Sequence, residues 1–299
     1  MNPRTIKLLG IQAGTGGRVP GAQDGPWVLR EKGLIQRLTG LGHAIDDLGD
    51  IPGVYETRLT HGSPAGLQNL PTILRCNRHT HACVLGTMRK TPEAFMLFVG
   101  GDHSLAIGTL AGLSDSCERL GILWIDAHAD FNTPATSPSG NIHGMSLAVA
   151  CGHGHRELKY IADRDPMALE EDAFLFGVRD VDPGEQENLA ESRVHALSTE
   201  EWRKSGLVST VMCACDALEA RCDHIHLSFD IDVLDPAAAP ATGTPVPGGL
   251  TPDEAAEVLA AIGARGRIDS AEFVEYNPEL DADGSTAEIT LRLIEALLK

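Results

Sequence analysis

The 299-residue sequence lacks the features that mark a membrane or secreted protein. It has no run of 18 or more apolar residues, the length that a membrane-spanning helix needs. The opening segment, MNPRTIKLLG, lacks the long apolar core and the small-residue cleavage site of a signal peptide. We therefore expect a cytoplasmic protein that has no membrane partner.

The cysteines also lack the spacing that marks a disulfide framework or a zinc site. The seven cysteines are an odd number and form no Cys-x-x-Cys pair, which argues against a disulfide framework and against a thiolate zinc site. The glycine-rich segment GTGG (14–17) follows an apolar run but fails the G-x-G-x-x-G spacing of a dinucleotide site. We expect reduced thiols that are mostly buried, and no nucleotide cofactor.

Positive charge is scarce. Lysine and arginine total 24 against 42 aspartates and glutamates, which gives a formal net charge of −18. Such a chain repels phosphate backbones, and no basic stripe compensates, so we expect no nucleic acid partner. An acidic field favours a cationic substrate or a metal ion.

What the sequence does contain is a regular alternation of apolar runs and helical patterns. The predicted strands are 6–11, 94–100, 121–126, 173–178, 224–232 and 270–276. The predicted helices are 25–38, 64–88, 104–118, 144–152, 185–192, 207–220, 252–264 and 285–298. Near-continuous apolar strands are typical of a parallel sheet that is buried on both faces, and the alternation predicts an α/β fold. Without a repeat or a linker, residues 1–299 are expected to form a single domain.

Three predicted strands end in residues that bind metals. The apolar run GILWI leads into Asp126, His128 and Asp130, which are spaced so that an extended chain would point them to one side. The run HIHLSF leads into Asp230 and Asp232, and another apolar run leads into His103. Each motif alone has an ordinary structural interpretation, such as a helix N-cap or a core histidine. Ligands of open α/β sheets, however, bind beyond the carboxyl ends of the strands, where all three segments would meet.

Two carboxylates on one buried strand end repel each other unless a proton or a cation intervenes. The combined set is rich in oxygen, contains imidazole and lacks sulfur, which suits Mn²⁺. Six ligands exceed what one catalytic metal with an open position needs, and they suit two metals that share carboxylates. His226 and Ser228 are expected to support the ligands from beneath, although His226 is equally consistent with an ordinary core histidine.

The motifs GGDHS (100–104), DAHAD (126–130) and SFDIDVLDP (228–236) together resemble the ureohydrolase superfamily. Enzymes of that superfamily hydrolyse guanidinium groups at a dinuclear manganese centre. The resemblance runs from Gly100 to Pro278. It implies a three-layer α/β/α fold with a central, mostly parallel sheet, two Mn²⁺ ions per subunit and a homo-oligomer, either a trimer or a hexamer.

Within that superfamily, two further segments resemble the arginases. The loop FNTPATSPSGNIHG (131–144) is similar to the arginase loop that holds the substrate α-carboxylate, and GVRDVDPGE (177–185) is similar to the segment that receives the α-ammonium group. Asp182 would contact that ammonium group directly, and Asp180 and Glu185 would act through water. The substrate-binding residues that the resemblance implies are Asn132, Ser137, Ser139, Asn141, Asp180, Asp182, Glu185 and Thr244.

The resemblance also implies a reaction, the manganese-dependent hydrolysis of L-arginine to L-ornithine and urea by a hydroxide that bridges the metals. Glu275 would orient the guanidinium group, Asp130 would pass a proton to the leaving amine, and His143 would exchange protons with solvent. One metal would take His103, Asp126, Asp130 and Asp230. The other would take Asp126, His128, Asp230 and Asp232.

Three alternatives stay open at this point. Another ureohydrolase, acting on agmatine or on a guanidino acid, would share the metal ligands, but decarboxylated agmatine would leave the Ser-Gly-Asn loop nothing to hold. A non-catalytic metal-binding regulator would be expected to lack a ligand or His143, and none is missing. A single-zinc deacetylase of similar fold is disfavoured by the number of carboxylates.

Overall fold

The computed structural model describes residues 3–53 and 66–299, which form an eight-stranded sheet with helices on both faces. The strands are β1 (Thr5–Ile11), β2 (Ala44–Ile51), β3 (Phe95–Gly100), β4 (Leu120–Ile125), β5 (Ala173–Val178), β6 (His195–Ser198), β7 (His224–Asp230) and β8 (Ser270–Val274). Every pairing is parallel, and the order across the sheet is β2-β1-β3-β8-β7-β4-β5-β6.

The helices of the described residues lie in the connections between these strands. They are α1 (Gly25–Glu31), α2 (Leu34–Gly40), α3 (Leu70–Lys90), α4 (Ala106–Ser114), α5 (Ser146–Ala150), α6 (Arg156–Lys159), α7 (Pro183–Glu191), α8 (Thr199–Ser205), α9 (Leu207–Glu219), α10 (Pro252–Arg265) and α11 (Ser285–Leu298). In the described ranges, no helix has both the length and the apolar character needed to cross a membrane.

The core consists of two apolar clusters, one on each face of the sheet. On β3, Leu97 packs into the cluster beneath α9, α10 and α11, whereas its neighbour Phe98 packs into the cluster beneath α3, α4 and α5. Successive side chains of a strand point to opposite faces, so a strand covered on both sides is apolar at most positions. The three-layer α/β/α architecture is therefore confirmed, and the sheet is wholly parallel.

The two edge strands, β2 and β6, were not predicted from the sequence. Strand β2 is mostly exposed, and its acidic side chains are held by ion pairs rather than by burial. Lys7 Nζ lies 2.6 Å from Asp46 Oδ2, and Arg30 Nη1 lies 2.5 Å from Asp50 Oδ1. An edge strand that faces solvent lacks the apolar pattern on which the strand prediction relied.

The helix predictions were confirmed for the long segments and wrong at several boundaries. The predicted helix 25–38 is two helices, because Gly33 adopts a left-handed backbone with φ of 93° between α1 and α2. The predicted helix 64–88 begins at Leu70, and positions 64–65 lie outside the described residues. The short helices α6 and α8 were not predicted. At α10, Thr251 is the N-cap, with its hydroxyl accepting from the Glu254 amide.

Candidate metal centre and substrate cleft

The carboxyl ends of β3, β4 and β7 meet at one edge of the sheet and bring the predicted ligands together. This follows from the parallel order, in which β7 lies directly between β4 and β8, and β8 separates β7 from β3. Five of the six predicted ligands form two overlapping groups, and Asp130 lies beside the first of them. They are His103, Asp126 and Asp230 in one group and Asp126, His128 and Asp232 in the other.

The first group surrounds the Nδ1 atom of His103. That nitrogen lies 3.1 Å from Asp126 Oδ2, 3.1 Å from Asp130 Oδ2 and 3.2 Å from Asp230 Oδ2. All four side chains are buried. Asp130 reaches this position through a left-handed backbone with φ of 49°, so the extended alternation assumed from the sequence stops before it.

The second group surrounds the Nδ1 atom of His128. It lies 3.0 Å from Asp232 Oδ2 and 3.5 Å from Asp126 Oδ1. His128 is the most accessible of the six, with 23% of its side chain exposed, and it faces the cleft. Asp126 contributes one carboxylate oxygen to each group, which is the arrangement of a bridging ligand.

The buried polar atoms of this cluster fit a divalent metal pair. His103 Nδ1 and Asp130 Oδ2 are buried and make no hydrogen bond within the described residues. Buried polar atoms without partners are costly, and four buried aspartates at this spacing repel one another. Oxygen ligands with imidazole and without sulfur suit Mn²⁺ or a similar ion.

Burial and mutual charge shift the protonation of the cluster in the absence of cations. Burial and the charge of Asp126 raise the pKa of Asp130 to about 6. Burial and the charges of Asp232 and Asp126 raise the pKa of Asp230 well above its usual value. Burial opposes protonation of His128, but the charges and hydrogen bonds of Asp232 and Asp126 together outweigh it and raise the His128 pKa. Divalent cations would take the place of these protons and keep the carboxylates ionised.

A layer of buried side chains lies beneath His103. Its Nε2 atom is 2.7 Å from Ser228 Oγ, and that hydroxyl donates to Glu272 Oε1 at 2.7 Å. His226 instead contacts Ser270 Oγ at 2.8 Å and lies 3.5 Å from Glu272, so it is one step removed from the ligands. Hydrogen bonds of this kind fix the orientation and tautomer of a ligating imidazole.

The ring of His103 is also held from the side. The Trp124 indole stacks on it with ring centroids 4.2 Å apart and planes 7° from parallel. Its Nε1–H donates to Asp126 Oδ2 at 3.1 Å. Two of the candidate ligands, His103 and Asp126, are therefore held by one tryptophan, Trp124.

Glu275 lies at the carboxyl end of β8 beside this cluster, with a left-handed backbone at φ of 64°. Its Oε1 atom accepts from the His103 amide at 2.8 Å and lies 3.0 Å from His143 Nδ1. Burial opposes protonation of His143, but the hydrogen bond and charge of Glu275, together with the charges of nearby aspartates, raise the His143 pKa to about 9. A strained backbone at a buried carboxylate is typical of functional sites.

One wall of the cleft is the loop 131–144, which supplies neutral donors. Ser137 Oγ accepts from the Gly140 amide at 3.0 Å, and Ser139 Oγ accepts from the Asn141 amide at 3.2 Å. Gly140 has φ of 69°, and a β-carbon there would lie 2.2 Å from the Gly66 carbonyl oxygen, so the turn requires glycine. The loop is thereby held in a compact turn with its hydroxyl and amide groups at the cleft.

The opposite wall is acidic and begins at the N-terminus of α7. Asp182 and Glu185 form a capping box there, and Glu185 Oε1 accepts from the Phe131 amide at 2.8 Å. Burial raises the pKa of Glu185 to about 7. Asn132 Nδ2 donates to Asp182 Oδ2 at 3.0 Å and so joins the two walls. Asp180 is exposed at the rim.

The structure brings every predicted site residue to this region. The substrate-binding candidates line the cleft, whereas Asp126 and Glu275 lie buried beside it. Thr244 additionally donates to Asp232 Oδ2 at 3.1 Å. The sequence patterns did not indicate a function for Glu272, Asp102 or Arg179, each of which has a partner far away along the chain. Asp102 accepts from the Gly16 amide at 2.8 Å and ties the glycine-rich segment 14–17 to the site.

Comparison with known proteins agrees with this site. The sequence model described as "Arginase family" matches residues 4–299. The arginase of Bacillus caldovelox is 40% identical over 294 residues, which cover 98% of both chains. Its native structure superimposes with a TM-score of 0.93, covering 99% of this chain and 98% of that one. The Entamoeba histolytica arginase, solved with L-ornithine, is 30% identical with a TM-score of 0.90, covering 99% of each chain.

A family match over nearly the whole sequence, joined to a structural match of the same extent, leaves no segment of the described fold unaccounted for. The chain belongs to the Arginase family.

Proposed function

We propose that this protein hydrolyses L-arginine to L-ornithine and urea with two Mn²⁺ ions per chain. The observation that supports the proposal is that a neutral wall and an acidic wall lie on opposite sides of one buried cluster of candidate metal ligands. Neutral hydroxyls and amides face acidic side chains across the cleft, as an α-carboxylate and an α-ammonium group would require. A guanidinium group at the far end of the same substrate would reach the buried carboxylates.

The residues proposed to hold the ions divide as the two groups do. One ion takes His103, Asp126, Asp130 and Asp230, and the other takes Asp126, His128, Asp230 and Asp232. When bound, such a pair lowers the pKa of water and supplies hydroxide at neutral pH. That chemistry is needed because a guanidinium group, with a pKa of about 12.5 or more, resists neutral water and ordinary bases.

Glu275 is proposed to orient the guanidinium group. Its Oε1 atom already serves the His103 amide and His143, which leaves Oε2 for the substrate. A fixed carboxylate opposite a planar cation sets both the position and the plane of the reacting carbon. Burial of Glu275 strengthens this interaction, because little water competes for either partner.

Two side chains are proposed to move protons. Asp130, buried beside His103, passes a proton to the leaving amine. His143 remains 17% exposed and contacts Glu275, so it lies between the reaction and solvent. An imidazole in this position suits proton exchange with bulk water.

The substrate's amino-acid end is proposed to be bound by the two walls. Asn132, Ser139 and Asn141 bind the α-carboxylate, with the Ser137 hydroxyl beside them. Asp182 binds the α-ammonium group directly, and Asp180 and Glu185 act through water. Thr244, which bonds Asp232, belongs to the same site.

We also propose that residues 1–299 form one catalytic domain and that the protein is a cytoplasmic homo-oligomer, a trimer or a hexamer, without nucleic acid partners. The family resemblance supports the assembly, and the net charge of −18 supports the lack of nucleic acid binding. Light scattering of the purified chain measures the assembly directly.

The test is a urea assay after the purified chain has been depleted of metal and reloaded with Mn²⁺. L-arginine and agmatine are compared at equal concentrations, with chelator-treated protein as the control. We expect urea from arginine, little from agmatine, and none without metal. A preference for agmatine or for a guanidino acid would reassign the substrate, and an absence of urea from any guanidino compound would refute the enzymatic proposal.

A further inference from the structure

Arg179 lies just beyond β5, with its guanidinium group directed into the turns around the candidate metal centre. Nη2 donates to the Asp232 carbonyl at 2.8 Å, to the Val246 carbonyl at 2.8 Å and to the Leu234 carbonyl at 3.3 Å. Nε donates to the carbonyls of Val246 and Pro247, each at 3.3 Å. One side chain thus joins the turn that carries Asp232 to the loop that follows Thr244.

The acceptors of this guanidinium group, in the described part of the chain, are main-chain carbonyls rather than carboxylates. A planar fork of donors can reach several carbonyls at fixed angles, which a lysine ammonium cannot reproduce. The fit is close, because a β-carbon at Gly249 would lie 2.6 Å from Nη2. Such packing indicates a built junction rather than a loosely placed surface arginine.

The main chain at Arg179 extends the same junction to the other side of the site. Its amide donates to the Ala127 carbonyl at 2.8 Å, and the next amide, of Asp180, donates to the same oxygen at 3.2 Å. His128, the residue after Ala127, pairs with Asp180 in an isolated parallel β-bridge. Residue 179 therefore contacts both segments that carry the ligands specific to the second group, His128 and Asp232.

From these contacts we infer that Arg179 is a positioning residue for one metal of the pair, the ion assigned above to Asp126, His128, Asp230 and Asp232. It acts by fixing the turn at Asp232 and, through the loop at Val246, the Thr244 hydroxyl that bonds the Asp232 carboxylate. The other ion, held around His103, does not depend on it. The inference rests on the metal pair of the proposed function.

Charge and geometry make opposite predictions for this residue. A cation near the site repels bound metal ions, so if its charge dominated, removing it would tighten metal binding. If its geometry dominates, removing it loosens Asp232 and weakens one ion. Substitutions of residues that orient metal ligands typically lower metal affinity by about 10- to 100-fold. We expect a loss of that size, confined to one of the two ions.

The experiment titrates the metal-depleted full-length chain with Mn²⁺ and counts free Mn²⁺ by electron paramagnetic resonance. The variants are Arg179→Lys, which keeps the charge but loses the fork, and Arg179→Met, which loses both. Arg203→Met is the control, because Arg203 bonds the carbonyls of Gly248 and Gly249 in the same loop from the other side and, in these bonds, does not touch the turn at Asp232. Circular dichroism of the metal-free proteins checks folding, and Arg179→Lys carries the test if the methionine variant fails to fold.

We expect both Arg179 variants to keep one tight ion and to bind the other about 10- to 100-fold more weakly, while Arg203→Met keeps both. In a His128→Asn background, Arg179→Lys should leave the remaining ion unchanged, because both substitutions act on the same ion. Wild-type affinity for both ions in Arg179→Lys, tighter binding in Arg179→Met, or an equal loss in Arg203→Met would each overturn the inference. A wild-type chain that binds no pair of Mn²⁺ ions would overturn the proposed function as well, and that result is recognised before any variant is tested.

Discussion

Replacement of Asp182 by asparagine tests how the cleft recognises the amino-acid end of its substrate. Asp182 is the N-cap of α7, and its Oδ2 atom accepts from Asn132 Nδ2 at 3.0 Å. Asparagine caps helices as well as aspartate does and can still accept a hydrogen bond, so the fold and the cleft wall should persist. The substitution removes the negative charge that would face the α-ammonium group.

The expected effect is modest because neighbouring acids remain. A hydrogen bond to a charged group contributes about 1.5–3 kcal/mol and a neutral one about 0.5–1.5 kcal/mol. The difference, about 1–1.5 kcal/mol, corresponds to roughly a 5- to 12-fold rise in KM for L-arginine. Glu185 is buried nearby and Asp180 is at the rim, so some attraction for the ammonium group persists. The value of kcat should hold, since the contact is made equally in the ground and transition states.

The decisive comparison uses 5-guanidinopentanoate, which is arginine without its α-amino group. Steady-state urea formation is measured for both substrates with wild-type protein and with Asp182→Asn. We expect KM to rise for arginine only. If KM rose by the same factor for both compounds, or stayed unchanged for arginine, Asp182 would not be the partner of the α-ammonium group.

Three further outcomes follow from the site. Asn141→Ala should raise KM for arginine and leave agmatine hydrolysis unchanged, because agmatine has no α-carboxylate; an equal effect on both would remove Asn141 from that role. His128→Asn should lose one of two tightly bound Mn²⁺ ions in equilibrium dialysis, and unchanged metal content would show that His128 is not a ligand. Burial lowers the pKa of His224 to about 4, against a usual value of about 6.5. The unfolded chain therefore binds the extra proton first, and up to roughly 3 kcal/mol of stability should be lost as pH falls from 6.5 towards 4. Urea unfolding at a series of pH values should show a smaller loss of unfolding free energy for His224→Asn than for the wild-type protein. Parallel curves of unfolding free energy against pH for the two proteins would contradict the assignment of this loss to His224.

The central strands were predictable because their burial is visible in their own residues as apolar runs. A strand buried on both faces is largely apolar, and β3 and β4 have that pattern throughout, whereas β7 alternates apolar residues with buried polar ones. The edge strands were not predicted because side chains from other segments of the chain stabilise them. Strand β2 is stabilised by Lys7 on β1 and by Arg30 on α1, and neither contact is visible in the segment itself.

The convergence of the candidate metal ligands was predictable for a related reason. Parallel strands deliver their carboxyl ends to one edge, so acidic and imidazole side chains just after three apolar runs had to converge. The contacts among them were not predictable. Asp130 and Glu275 both adopt left-handed backbones, a conformation that is uncommon at non-glycine positions and that the alternation of residue types did not indicate.

The residues that sequence reasoning missed share one property, which is distance along the chain. Glu272 bonds Thr109 across 163 positions, and Arg179 bonds Val246 across 67. Glu272 also lies inside the apolar run SAEFV, where a single acid looks like an interruption of a strand. Its function as an acceptor for Ser228 becomes evident only when β7 and β8 lie side by side.

The strand order has a consequence for synthesis on the ribosome. Strand β3 pairs with β1 on one side and with β8 on the other, where Met96 aligns with Ser270. The second neighbour of β3 is therefore missing until β8 has been synthesised. A nascent chain that has passed β7 cannot yet fill the middle of its sheet, and the edges of β3 and β7 that will pair with β8 lack their partner. Such edges are prone to association with other chains. The same late strand is followed by Glu275, so the sheet closes and the site is completed within the same few residues of translation.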